Sequence, residues 1–306
     1  MVKIAFLFPG QGSQFVGMGR EFYETSLESQ KLFDKAGEIL GFDIADLCFN
    51  GPDEKLMLTE NAQPALLIHS IIALNMLREN GINATLAAGH SLGEYSANVA
   101  AGSIQFLDAV RLVRLRGRFM QEAVPVGEGA MAAVMGLELS DVKQICQEAA
   151  LGEVVSPANI NTADQIVISG HRRAVERATA LAQVRGARKV RSLPVSAPFH
   201  CGLMKPAQER LARVHEEITF QDLRVPLVNN LEAREVRDAT GAREGLIGQV
   251  SSPVLWSESI ERLVEAGVST FVEVGPGRVL RGLIRRIAPS VKVYNVGNRE
   301  QVESYA

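Results

Sequence analysis

The chain has 306 residues, 46% hydrophobic and 22% charged, a composition typical of a folded globular protein with one large domain or two. Its net charge of −3 excludes the overall basic field that nonspecific nucleic-acid binding requires, and no apolar run approaches the ~18 residues of a membrane span. Three widely separated cysteines without CxxC spacing predict neither a disulfide framework nor a zinc site, and they fit a reducing cytoplasm.

Apolar strand patterns alternate with helical patterns from the start of the chain, which predicts an α/β fold with a largely parallel sheet. The apolar run Lys3–Phe8 is too short for a signal peptide and predicts the first strand. Helices are expected at about 26–40 and 62–80. A short strand over 85–88 then leads into the sequence GHSLG.

The pattern changes between residues 129 and 192, where strands and helices follow one another in the order βαββαβ of a split ferredoxin-like unit. Pro194 and Pro198 then return the chain to loop, and the alternation of strands and helices resumes. We therefore expect a small ferredoxin-like domain over 126–193. It would be inserted into a larger hydrolase-like α/β domain made of 1–125 and 194–306.

The sequence GHSLG at 89–93 has the GxSxG pattern of a sharp strand-to-helix turn. Its glycines let the backbone turn tightly and leave the Ser91 hydroxyl exposed above the sheet edge, as a candidate nucleophile. The N–H groups of Leu92 and Gly93 would lie at a helix N-terminus, which suits a developing oxyanion. Because the pattern is short, the alternative that Ser91 only caps the helix stays open.

A serine nucleophile needs a base, and histidine is the usual one. His69 lies in an apolar helix, and His90, adjacent to the serine, is expected to point away from the hydroxyl. His171 and His215 lie in polar segments, the second of which is expected to be solvated. His200 ends the proline-rich loop LPVSAPFH and is the preferred base. An α/β-hydrolase would place its histidine near the C-terminus, after an acidic residue, so this order departs from that of a hydrolase.

The long helix that Ser103 is expected to cap carries an arginine within its apolar stripe. At about 100° per residue, six apolar residues lie within about 60° of Arg116, namely Ala109, Leu112, Val113, Phe119, Met120 and Ala123. Arg111, Arg114 and Arg118 project from the opposite, solvated side. A buried guanidinium stays charged and needs an anion, which is either an internal carboxylate or the carboxylate of a substrate. The second alternative, with a serine nucleophile, indicates acyl transfer from a substrate that carries a free carboxyl group.

With these residues in place, the chain resembles the malonyl-CoA:acyl carrier protein transacylases, the discrete acyltransferases of bacterial fatty-acid synthesis and of some polyketide pathways. Eight ordered motifs carry the resemblance: FPGQGSQ at 8–14, QPALL at 63–67, GHSLGE at 89–94, RGRFMQEA at 116–123, NINTADQIVISG at 159–170, SAPFH at 196–200, QVSSPVLW at 249–256 and EVGPGRVLRGLI at 273–284. Two positions depart from the pattern. TADQ at 162–165 replaces a common Ser-Pro-Gly-Gln, and Ala62 replaces a common threonine.

The resemblance implies a role for each matching residue. Ser91 would accept the acyl group, and His200 would act as its base, oriented by a backbone carbonyl near Gln249 rather than by an aspartate. The other implied roles are an oxyanion hole from Gln11 and Leu92, a malonyl-carboxylate site at Arg116, exclusion of an α-methyl group by Phe199, and a polar residue beside the pocket at Asn161. No metal or redox cofactor is implied.

The resemblance also implies the partners, which are malonyl-CoA and an acidic carrier protein bearing phosphopantetheine, and a cytoplasmic monomer. Candidate contacts for the carrier lie in the basic runs RGARKVR and LRGLIRRI, namely Arg185, Arg188, Lys189, Arg191, Arg281, Arg285 and Arg286. These side chains could instead be ordinary solvated charges. Rival functions are transfer of methylmalonyl or another extender unit, hydrolysis of stalled acyl carriers, a serine esterase, and a non-catalytic module that binds the carrier.

Overall fold

Two β-sheets and fourteen α-helices make up the fold in the computed structural model, which describes residues 2–195 and 197–305. The strands are β1 (Lys3–Phe8), β2 (Leu86–Gly89), β3 (Gly129–Met135), β4 (Val155–Thr162), β5 (Gln165–His171), β6 (Lys189–Ser192), β7 (Leu227–Val228), β8 (Glu235–Val236), β9 (Val268–Val274) and β10 (Lys292–Val296). The helices are α1 (Arg20–Thr25), α2 (Leu27–Leu40), α3 (Ile44–Asn50), α4 (Asp53–Leu56), α5 (Thr59–Glu79), α6 (Gly93–Ala101), α7 (Phe106–Glu122), α8 (Leu139–Ala150), α9 (Arg172–Val184), α10 (Lys205–Glu216), α11 (Ala239–Gly248), α12 (Trp256–Glu265), α13 (Val279–Ile287) and α14 (Arg299–Tyr305).

The larger sheet has six strands in the order β10-β9-β1-β2-β7-β8. Every neighbouring pair is parallel except β7 and β8, which are antiparallel at one edge. The central strands β1 and β2 are almost wholly buried because helices cover both faces of the sheet, as their continuous apolar runs require. The expected α/β fold with a mostly parallel sheet is confirmed.

The smaller sheet has four antiparallel strands in the order β4-β5-β3-β6. Helices α8 and α9 pack on it and enclose a separate apolar core. Strand β4 connects this sheet to the larger part of the fold through two backbone hydrogen bonds. The Ile160 N–H donates to the Val254 carbonyl at 2.9 Å, and the Val254 N–H donates to the Ala158 carbonyl at 2.9 Å. The fold therefore holds residues from both sheets close together around the start of α12.

Three details correct the sequence analysis. Helix α7 begins at Phe106 with Gln105 as its N-cap residue, so Ser103 does not cap it. Strand β8 was not expected, because two residues are too short to show a periodic pattern. His215 is fully buried rather than solvated, because α10 turns this face onto the Tyr95 and Phe220 rings.

Within 2–195 and 197–305, no helix has both the length and the apolar composition to cross a membrane.

Candidate active site

The nucleophile candidate lies on a tight turn at the carboxyl end of β2, beside the carboxyl end of the parallel strand β1. Ser91 has φ = 52°, a left-handed conformation that is strained for a residue other than glycine. The side chain of Asn230 holds this turn, because it accepts a hydrogen bond from the Ser91 N–H at 2.7 Å and donates one to the Gly89 carbonyl at 2.7 Å. The strain at Ser91 is thus fixed by a buried amide from the segment that follows β7.

The two glycines of GHSLG are required by close packing. A Cβ atom on Gly89 would lie 2.0 Å from the Gly93 carbonyl carbon, and one on Gly93 would lie 2.0 Å from the Phe8 carbonyl oxygen. Any side chain at these positions would push α6 away from β1 and β2. The pattern therefore serves to bring the helix N-terminus directly against the strand ends.

Ser91 and His200 meet although 109 positions separate them in the chain. The Ser91 Oγ lies 2.7 Å from His200 Nε2, and His200 Nδ1 lies 2.8 Å from the backbone carbonyl of Gln249. Because a carbonyl only accepts, Nδ1 carries the proton and Nε2 is free to accept one from the serine. Burial, followed by the nearby Arg116 charge, lowers the pKa of His200 to about 3, so the imidazole is neutral.

Two backbone N–H groups beside Ser91 are candidate donors for an oxyanion. In the described part of the chain, neither the Gln11 nor the Leu92 N–H has a hydrogen-bond acceptor, and both residues line the same cavity as Ser91. Gly93, the other donor expected from the sequence, instead gives its N–H to the His90 carbonyl at 2.9 Å. Leu92 is thus the donor that the helix N-terminus leaves available.

Arg116 is buried within the apolar face of α7, at 2% exposure. Its guanidinium donates to Gln63 Oε1 at 2.9 Å, to Gln249 Oε1 at 3.1 Å and to Ser91 Oγ at 3.0 Å. Among the residues described, no carboxylate forms an ion pair with it. The anion that a buried guanidinium needs is therefore not supplied by a carboxylate in direct contact.

The other arginines of α7 are exposed, as their positions on the helix predict, with one exception. Arg111 and Arg118 are exposed and pair with Glu217 and Glu122. Arg114 is half-buried, because it donates to the Glu60 carbonyl at 2.8 Å and lies over the Phe42 ring. The expectation of a solvated side chain was therefore wrong for Arg114.

A cavity of about 280 Å³ joins these groups. Besides Ser91, His200 and Arg116, it is lined by apolar side chains that include Phe199, Met120 and Met131. Asn161 does not line the cavity. It contacts a residue that does, because its Oδ1 lies 2.9 Å from Nε2 of His90. Asn159, rather than Asn161, is the asparagine of β4 that lines the cavity.

Sequence reasoning missed four polar residues around this cavity. Gln63 and Asn159 line it, while Glu94 and Asn230 lie buried beneath the serine turn. Gln63 and Glu94 stand out as polar residues inside apolar helices, and that signal could have identified them. Ser196, within the motif SAPFH, lies outside the described residues.

Comparisons with known proteins show which family the chain resembles. Residues 5–299 match the family described as acyl transferase domain. The malonyl CoA-acyl carrier protein transacylase of Bacillus subtilis is 49% identical, over 99% of this chain and 96% of that protein. The Coxiella burnetii transacylase has a solved structure with TM-score 0.97 and 42% identity, over 99% of this chain and 96% of that one.

A second similar structure shows a type II polyketide-synthase acyl-carrier protein in complex with its malonyl-transacylase. It has TM-score 0.96 and 42% identity, over 99% of this chain and 98% of that one. The matches cover nearly the whole length of this chain and of each relative. The chain belongs to the malonyl CoA-acyl carrier protein transacylases within the acyl transferase domain family.

Proposed function

We propose that this chain transfers a malonyl group from malonyl-CoA to the phosphopantetheine thiol of an acyl carrier protein, through a covalent malonyl-serine intermediate. The relatives that it resembles carry this activity in their names, and one similar transacylase is solved with its carrier protein. The observation that carries the proposal is geometric. Ser91 Oγ lies 2.7 Å from His200 Nε2 and 3.0 Å from an Arg116 nitrogen, so nucleophile, base and carboxylate-binding cation share one cavity.

In the first half-reaction, the Ser91 oxygen attacks the thioester carbonyl carbon while its proton moves to His200 Nε2. The carbonyl π electrons move onto the oxygen, where the N–H groups of Gln11 and Leu92 stabilise the negative charge. The intermediate collapses, the C–S bond breaks, and the coenzyme A thiolate takes the proton from His200. The products are the malonyl ester of Ser91 and free coenzyme A.

In the second half-reaction, His200 removes the proton from the phosphopantetheine thiol, and the sulfur attacks the Ser91 ester carbon. The same two N–H groups hold the oxyanion, and the serine oxygen leaves with the proton returned by His200. Backbone N–H groups fixed by the turn need no rearrangement as charge develops, which is the main source of such stabilisation. Losing one such donor typically costs about 10²–10³-fold in rate.

Selection of the acyl group is assigned to Arg116 and Phe199. A malonyl carboxylate would give the buried guanidinium the anion that it lacks, whereas an acetyl group would leave it unpaired. The Phe199 ring lines the cavity beside His200 and would crowd a substituent on the α-carbon. Transfer of malonyl is therefore favoured over transfer of acetyl or of a branched extender unit.

Several cations of the two basic runs are already paired within the chain, so fewer are available to contact the carrier protein than the sequence suggests. Arg185 pairs with Glu148, and Arg188 and Arg286 both pair with Asp164. Arg281 donates to Asn295.

Three cations of these runs, Lys189, Arg191 and Arg285, have neither an ion pair nor a side-chain hydrogen bond within the described residues. Lys189 and Arg191 are exposed on β6, which is followed directly by Leu193 and Pro194 in the cavity lining. We propose β6 as the docking surface for the acidic carrier protein.

The domain description is also part of the proposal. The strand order β4-β5-β3-β6 with α8 and α9 supports a ferredoxin-like domain over 126–193, inserted into a hydrolase-like domain over 1–125 and 194–306. A monomeric state and a cytoplasmic location stay predictions. The second is in keeping with three buried cysteines that carry free thiols.

The experiment follows the fate of the malonyl group. The protein is incubated with malonyl-CoA, with and without a phosphopantetheine-bearing carrier protein, and malonyl-carrier and free malonate are both quantified. The proposal predicts malonyl-carrier as the main product and slow malonate release without the carrier. Rapid malonate release would indicate a hydrolase, efficient use of methylmalonyl-CoA would indicate another extender unit, and no turnover would indicate a binding module.

A further inference from the structure

A buried carboxyl group lies directly behind the proposed catalytic residues. Glu94 is the second residue of α6, three positions after Ser91, and is 1% exposed. It lies outside the cavity lining and makes no ion pair within the described chain. The half-reactions above do not use it.

All the side-chain hydrogen bonds of Glu94 converge on one oxygen atom. Its Oε2 accepts from the Asn230 N–H at 2.8 Å and from Gln249 Nε2 at 3.2 Å, whereas Oε1 has no partner in the described part of the chain. Both donors are completely buried. A single atom thus joins the segment after β7 to the end of α11.

Each of these two donors holds a different part of the site. Asn230 fixes the strained serine turn through the Ser91 N–H and the Gly89 carbonyl. Gln249 holds His200 through its backbone carbonyl, and it accepts from Arg116 through its side-chain Oε1 at 3.1 Å. Glu94 therefore reaches the nucleophile, the base and the cation, each through one intermediate residue.

We propose that Glu94 is a positioning residue for malonyl transfer, which aligns Ser91, His200 and Arg116 by holding Asn230 and Gln249 through one carboxyl oxygen. This inference rests on the proposed function. The role assigned to Glu94 is that of a hydrogen-bond acceptor at a fixed distance, and no charge on it is required. Burial raises the pKa of Glu94 to about 8, which agrees with a group that works without its charge at neutral pH.

Two substitutions distinguish the effect of the length of the Glu94 side chain from the effect of its charge. Glu94→Gln keeps the chain length and an acceptor oxygen but carries no charge, whereas Glu94→Asp keeps the acid but is about 1.5 Å shorter. We expect Glu94→Gln to form the malonyl adduct within about threefold of the wild-type rate. We expect Glu94→Asp to be slower by about 10²-fold, because displacements of about 1 Å have effects of that size, and to discriminate less between malonyl-CoA and acetyl-CoA.

Glu273 provides the matched control. It is another fully buried glutamate, whose carboxylate accepts from the Leu280 and Arg281 N–H groups at 3.0 and 2.8 Å, away from the cavity lining. Glu273→Asp should lower the unfolding temperature while leaving adduct rate and selectivity unchanged.

Rates of adduct formation by rapid quench and mass spectrometry, malonyl-to-acetyl ratios and unfolding temperatures are measured for all four proteins. Equal impairment of both Glu94 variants, or a wild-type rate and ratio in Glu94→Asp, overturns the inference. An inactive wild-type protein would instead overturn the proposed function.

Discussion

At the scale of single residues, the site depends on groups that are buried away from water or held in a strained conformation. Arg116 keeps its charge without a carboxylate in direct contact, His200 stays neutral, and Ser91 adopts a left-handed backbone conformation. Each state has an identifiable cause in burial or in a hydrogen bond from a neighbouring segment. Each therefore leads to a measurable consequence.

Replacing Arg116 with alanine tests its role in selection. The loss of a buried charged partner costs about 2–5 kcal/mol, so kcat/KM for malonyl-CoA should fall by about 10²-fold or more while that for acetyl-CoA changes little. Arg111→Ala, on the exposed side of the same helix, should leave both values unchanged. If Arg116→Ala retains its malonyl-to-acetyl ratio, the arginine has only a structural role.

The neutral state of His200 predicts an unusual pH dependence. Its pKa is lowered to about 3, below the ordinary value of about 6.5, so the base stays available and adduct formation should be nearly constant from about pH 7 down to pH 5. The unfolded chain does bind the proton, so the stability of the fold declines as pH falls below about 6.5 and continues to decline towards about 3. Adduct rates and unfolding temperatures measured together across this range check both statements. An acidic limb with a midpoint near 6.5 in protein that is still folded would contradict the first.

At the scale of elements, helix packing sets the position of Arg116. Gly117, the next residue, lies against the start of α5, where an added Cβ would be 2.7 Å from the Glu60 Cα and 2.7 Å from the Thr59 carbonyl oxygen. Both contacts are with backbone, so neither can yield by a simple side-chain rotation. The close approach of α5 and α7 therefore depends on glycine at this position.

Gly117→Ala should consequently destabilise the protein by about 1–3 kcal/mol, the usual cost of overpacking. Gly282, in the middle of α13, is the matched control, because no described atom outside its own stretch of helix lies within 4 Å of an added Cβ. Gly282→Ala should be neutral or stabilising by up to about 1 kcal/mol, as in an exposed helix. Denaturant unfolding of both variants measures the difference, and equal effects would show that the α5–α7 contact is not tight.

The sequence predicted those elements whose apolar pattern is long enough to show a period. Strand β1, helices α2 and α5, and the βαββαβ order of the smaller sheet follow from such patterns. Strand β8 has only two residues, and its position depends on pairing with β7. The charged neighbours of His215 predict that it is exposed to solvent, and only the packing of α10 shows that it is buried.

The site was predictable to the extent that single residues stand out against their surroundings. Ser91 and Arg116 do so, the first between glycines and the second within an apolar stripe. The side-chain hydrogen bonds of Asn230 and Gln249 could not be predicted, because they join segments more than a hundred positions from Ser91 and Arg116. Long-range contacts of this kind depend on the completed fold.

At the scale of the whole molecule, charge on β6 should govern docking of the carrier protein. Reversing Lys189 and Arg191 together to glutamate should raise the KM for an acidic carrier about tenfold or more, because like charges at an interface repel. The rate of malonyl-enzyme formation from malonyl-CoA should not change. Lys292→Glu is the control, because Lys292 is exposed on the larger sheet, at the amino end of β10 and so opposite the strand ends that carry Ser91. An unchanged carrier KM in the double variant would exclude β6 as the docking surface and would leave Arg285 as the remaining candidate contact.

The most direct measurement is the intact mass of the protein after brief exposure to malonyl-CoA, followed by peptide mapping of any adduct. The wild-type protein should gain one malonyl group, located on Ser91, and Ser91→Ala should gain none. His200→Ala should acquire the group far more slowly, and acetyl-CoA should label the wild type poorly. An adduct on another residue, or a labelled Ser91→Ala protein, would contradict the account.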